Sequence, residues 1–107
     1  GDIGHVVLRD RQKMSEEGVV VVVVSVDQHT GQLVSDVDII SRGFVFEEMA
    51  KDLLDDAKRV VKDTLQQHVH KSADWRFIRK IIEDCLEKFL YKATERRPLI
   101  LPVVVEV

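Results

Sequence analysis

Apolar positions in this chain follow two rhythms, unbroken runs near the two ends and a spacing of three to four through the middle. The first run is Val19 to Val24, six consecutive valines within GVVVVVVSV. Residues branched at Cβ disfavour a helix and suit a pleated strand. A strand with one wet face would alternate with polar residues, so the run predicts a strand covered on both faces. DQHTGQ (27–32) then supplies turn chemistry, with Asp27 starting the turn and Gly31 free to take a positive φ. Leu33 to Ile40 is expected to return as the partner strand, broken around Ser35 and Asp36, which makes 18–40 a β-hairpin.

Helical spacing dominates the middle of the chain. Leu53, Ala57, Val60, Val61, Leu65 and His68 form a stripe within 47–69, while Lys51, Asp55, Lys58, Arg59 and Lys62 fill the other side. HKSAD (70–74) breaks the pattern, and Ser72 or Asp74 can cap a second helix. Its stripe is Phe77 or Ile78, then Ile81, Ile82, Cys85, Leu86, Phe89 and Leu90, and Pro98 closes it. LILPVVVEV reads as a final strand at a sheet edge, because Pro102 has no N–H to give a ladder. Before all of these, VVLRDRQKMSEE (6–17) holds good helix formers ahead of a stop at Gly18 but only a partial stripe, so a short helix or docking arm is expected.

The order β-β-α-α-β predicts an α+β fold. Two helices joined by a short loop pack as an antiparallel pair, and both can lie on one face of a three-stranded mixed sheet. The valine strand belongs at the centre, antiparallel to the second strand and parallel to the last. The expected organisation is an arm or linker end over 1–17 and one domain over 18–107. Two helices cover only one sheet face, and large exposed apolar patches mark interfaces. Val20, Val22, Val24 and Pro102 are the candidate interface residues, with Val19, Val21 and Val23 the alternative set that alternation leaves open.

Composition narrows the function classes. A chain of 107 residues, 45% hydrophobic and 33% charged, has room for one core and the make-up of a soluble globular protein. Its net charge of −3 argues against nucleic-acid binding by charge alone. The single Cys85 allows no internal disulfide and suits a reducing cytoplasm. No apolar run reaches the roughly 20 residues of a membrane span, and GDIGHVVL lacks the basic head and apolar core of a signal peptide. Gly1 at the start and an apolar end in ILPVVVEV are expected of a piece of something longer, whether trimmed or naturally ended.

Candidate chemistry is sparse. His5, His29, His68 and His70 do not converge in any zinc-binding spacing. Cys85 lies mid-stripe, where a buried inert thiol is expected, and the serines lack the turn and base that activate a nucleophile. The carboxylate pairs Glu47–Glu48 and Asp55–Asp56 read as a solvated helix face. Arginines at 42, 76, 79, 96 and 97 could touch RNA or a partner, as part of a larger surface.

DIISRGFVF (38–46) holds a polar triplet, Ser41-Arg42-Gly43, inside an apolar stretch. Strict alternation would put Arg42 on the face of Ile40 and Phe44. Gly43 permits a kink or bulge that ends the strand and re-aims Arg42, with Phe44 and Phe46 turning into the core. This motif, GDIGHVVLRDRQKMSEEG, the valine strand and FLYKATERRPLILPVVVEV together resemble the C-terminal domain of ribonuclease J, in order and spacing along essentially the whole chain. The resemblance implies a parent chain that cleaves RNA as a 5′-to-3′ exonuclease and an endonuclease. Its zinc would sit in upstream metallo-β-lactamase and β-CASP domains, whose metal motifs do not occur in this sequence. It implies for this chain a non-catalytic role, without cofactor, in dimer formation and full activity. The alternative from the residues is a small RNA-binding module that helps hold the substrate.

Overall fold

The computed structural model describes residues 17–43, 47–68 and 74–107. The valine run forms β1 (Val19–Val26), followed by β2 (Asp38–Arg42), α1 (Glu47–His68), α2 (Trp75–Thr94) and β3 (Leu99–Glu106). The sheet order is β2-β1-β3, with β1 antiparallel to β2 and parallel to β3. The α+β architecture, the central valine strand and the Pro102 strand at an edge are as the patterning predicts. The short helix or arm before residue 17, the Ser72 cap and the placement of Phe44 and Phe46 lie outside the described residues.

Burial alternates strictly along the sheet. Val20, Val22, Val24 and Val26 are buried, together with Ile39 on β2 and Ile100, Pro102 and Val104 on β3. Against them α1 packs Ala57, Val61 and Leu65, and α2 packs Ile78, Ile82, Leu86 and Leu90. Ile78 rather than Phe77 begins the α2 stripe, since Phe77 is an exposed residue. His68 ends the α1 stripe half-buried, with a ring nitrogen 2.9 Å from the Thr64 carbonyl. Asp74 caps α2 by accepting the Arg76 N–H at 2.9 Å. At the other end Glu95 takes a left-handed φ of 60° and donates its N–H to the Tyr91 carbonyl.

The hairpin differs from its expected form. A ladder continued from the Val26–Leu33 bridge would set residue 36 opposite Val23, yet Asp38 stands there, so two extra residues bulge out within 34–37. Ser35 and Asp36 do break the return strand. The ladder proper resumes only at Asp38 and runs on to Arg42, two residues beyond the expected Ile40. The turn itself is built by Asp27, whose carboxylate accepts the N–H groups of His29 at 2.7 Å and Thr30 at 3.0 Å. Those two donors hold its carboxyl below the usual range. Gly31 donates to the Asp27 carbonyl at 2.7 Å with φ at 75°. Gly31→Val is therefore expected to cost about 1 kcal/mol or more in a denaturant melt. Unchanged stability would mean that the turn adopts another conformation.

Candidate interaction face

Side chains opposite each other in a ladder share a face, so the pairing fixes what the second sheet face carries. Its rows run Arg42–Val19–Leu99, then Ile40–Val21–Leu101, then Asp38–Val23–Val103, and last Ser25–Val105. None of these residues belongs to the buried core, and Ile40 at the border is 49% exposed. Among the described residues both helices lie on the opposite side, against the buried valines. The result is an apolar field closed at its β2 border by two exposed opposite charges, Asp38 and Arg42.

This corrects the candidate interface. Val20, Val22, Val24 and Pro102 lie beneath the helices, with Val22 and Val24 wholly buried. The outward set is Val19, Val21 and Val23, joined by Leu99, Leu101, Val103 and Val105, which sequence reasoning did not single out. A uniform valine run carries no polar residue to mark its wet side. The charges that mark it, Asp38 and Arg42, sit on another strand behind a turn of unreadable length.

Arg42 is also not re-aimed by a kink. The strand runs through it, opposite Val19, and Arg42 stays on the face of Ile40. That position suits a guanidinium because Arg42 is exposed there. Gly43 acts after it, with φ at 67°, and ends the strand there. Gly18, at φ 103°, lies so close that a Cβ on it would stand 2.6 Å from the Gly43 carbonyl carbon.

The five arginines do not form one patch. Arg76 and Arg79 begin α2, and Arg96 and Arg97 follow its end, about 30 Å away for a helix of 20 residues. Arg76 and Arg79 both lie 5.8 Å from the Trp75 ring, and Arg79 also meets Glu83 at 3.9 Å. Burial pushes the Glu83 carboxyl up. Arg97 stacks 4.3 Å over Tyr91. Because Leu99 donates to the Gly18 carbonyl at 2.9 Å and Val19 pairs with Arg42, Arg42, Arg96 and Arg97 share one end of the sheet.

No chemistry gathers elsewhere among the described residues. No group of three or more His, Cys, Asp or Glu is placed to hold a metal ion, and no helix is long and apolar enough to cross a membrane. A pocket of about 230 Å³ is lined by Gln32, Leu33, Leu65 and Gln66, which offer no titratable group. The Cys85 thiol donates to the Ile82 carbonyl at 3.5 Å, and burial pushes it up, away from the reactive thiolate.

Residues 6–107 match a family model described as the ribonuclease J C-terminal domain. Ribonuclease J2 of Bacillus subtilis is 37% identical over 108 residues, which is 100% of this chain and 20% of that protein. Ribonuclease J 2 of Streptococcus pyogenes is 38% identical over the whole chain and 20% of its own length. For ribonuclease J 2 of Staphylococcus aureus the figures are 35% and 19%. The chain spans about a fifth of the length of the curated relatives it matches.

Proposed function

The chain belongs to the ribonuclease J C-terminal domain family, and on that premise we propose that it is a non-catalytic assembly domain. Its apolar sheet face, and the sheet edge beside it, hold another domain or subunit of a bacterial ribonuclease J. The parent in this reading is a cytoplasmic, zinc-dependent exo- and endoribonuclease, whose metallo-β-lactamase and β-CASP domains carry the metal and the hydrolysis. In this reading the chain contributes assembly and not a catalytic step.

The observation that carries the proposal is the field of half-buried valines and leucines on the sheet face away from the helices. Burying apolar area is worth roughly 25 cal/mol per Å², so a face of this make-up has a strong drive to be covered. A second reading, grip on single-stranded RNA, draws on Arg42, Arg96, Arg97 and the exposed Tyr91 at one end of the sheet. Sedimentation of this chain over a range of concentrations separates the two. Assembly predicts concentration-dependent dimers, no zinc retained after dialysis and no RNA cleavage. A monomer at every concentration that binds single-stranded RNA, steeply weakened by salt, would replace assembly with RNA grip. Chelator-sensitive cleavage would overturn both.

A further inference from the structure

Beside the hairpin turn lies a pocket edged by polar groups that bond to nothing. Its volume is about 230 Å³, and it is lined by Gln32 and Leu33 from the hairpin and by Leu65 and Gln66 from α1. Leu33 stands opposite Val26, so its side chain turns to the helix side of the sheet and packs against the core. The backbone bonds across this pair belong to its neighbours. Asp27 donates to the Gln32 carbonyl at 2.9 Å, and Val34 donates to the Ser25 carbonyl at 2.9 Å. In that arrangement the N–H and C=O of Leu33 point away from the strand it faces. Neither has a hydrogen-bond partner among the described residues. The carboxamides of Gln32 and Gln66 belong to exposed residues and have no partner there either.

We propose that this pocket takes an extended peptide segment of a partner protein, anchored by one uncharged aliphatic side chain. A residue set beside Leu33 gives its N–H to the Leu33 carbonyl and accepts the Leu33 N–H, the doubly bonded pair of an antiparallel bridge. Opposite residues in such a pair share a face, so the side chain of that residue enters the space between Leu33 and Leu65. The pocket is smaller than the roughly 300 Å³ at which small-molecule sites begin, which suits a single aliphatic group. Each carboxamide can both donate and accept, and so can meet the peptide groups on either side of the anchor. No titratable group lines the pocket. An acidic or basic anchor would be desolvated there without a counter-charge, which is costly. A nucleobase could use the carboxamides but would leave the Leu33 pair, set for an extended backbone, half used.

The pocket lies on the helix side at the hairpin end, so this inference stands or falls apart from the assembly reading of the opposite sheet face. The test is titration of the isotope-labelled chain, followed by NMR, with a capped threonine peptide carrying a central leucine. Saturable shifts are expected at the Leu33 N–H and at the carboxamide N–H groups of Gln32 and Gln66. N-methylation of the central leucine removes one of the paired backbone bonds and should weaken binding about tenfold. A central aspartate should abolish the shifts. Gln66→Ala, at an exposed helix position outside the core, should weaken binding while the rest of the spectrum keeps its dispersion. Shifts that ignore the N-methyl group or the aspartate would overturn the proposal, as would shifts confined to the opposite sheet face. No shift up to the solubility limit of the peptide would overturn it too, and adenosine moving the same resonances as strongly would replace the peptide with a base.

Discussion

Gly18→Val is expected to leave no folded protein, and Gly18→Ala to lose about 3 kcal/mol or more in a denaturant melt. The φ of 103° at Gly18 lies where side chains are rarely accommodated, a strain of about 1–3 kcal/mol by itself. A Cβ there would also stand 2.6 Å from both the carbonyl carbon and oxygen of Gly43 and 2.7 Å from the Arg42 carbonyl oxygen. These are backbone atoms at the end of a ladder and cannot swing aside as a flexible side chain would, so overpacking adds to the strain. Against a total stability of about 5–15 kcal/mol for a domain, the sum is disabling. Gly43 supplies the control. Its φ is 67°, but a Cβ on it would meet only the Gly18 Cα, at 3.8 Å. Gly43→Ala should therefore cost about 1 kcal/mol. Equal losses at the two positions would show that the close approach does not exist.

Gly18 also shows where sequence reading stops. Its lack of a side chain reads in one dimension as a helix stop, because the residue that needs the space, Gly43, is distant along the chain. Only the pairing of Val19 with Arg42 brings them together. The helices were legible because their stripes need nothing but local spacing: Ile78, Ile82, Leu86 and Leu90 repeat at the period that buries them. The central place of the valine strand followed from its uniformity, and the edge place of β3 from Pro102. Which valines face outward did not follow. That parity depends on the alignment of β1 with β2, and the two residues bulged within 34–37 shift that alignment without a readable mark. The expected set, Val20, Val22 and Val24, falls on the helix side for the same reason.

Val21 and Val22 are identical neighbours with opposite environments, and Lys at each should separate folding from the open face. Val22 is wholly buried between the strands and the helices, paired with Ile39 and Pro102. A lysine there would bury an ammonium with no acid on its row, and an uncompensated buried charge costs about 3–5 kcal/mol. Val22→Lys is expected to unfold most of the chain at room temperature. Val21 lies in the row of Ile40 and Leu101, outside the buried core. Its replacement forfeits little beyond strand preference, whose whole scale spans about 1 kcal/mol, and the long side chain can carry its charge out to water. Val21→Lys should therefore keep the parent circular dichroism spectrum and melt cooperatively. It should also bind less of a dye that reports exposed apolar surface, since the charge sits in the middle of the field that takes up the dye. If Val21→Lys unfolds the chain as Val22→Lys does, both valines are core, and the open face is not the surface on which this domain assembles.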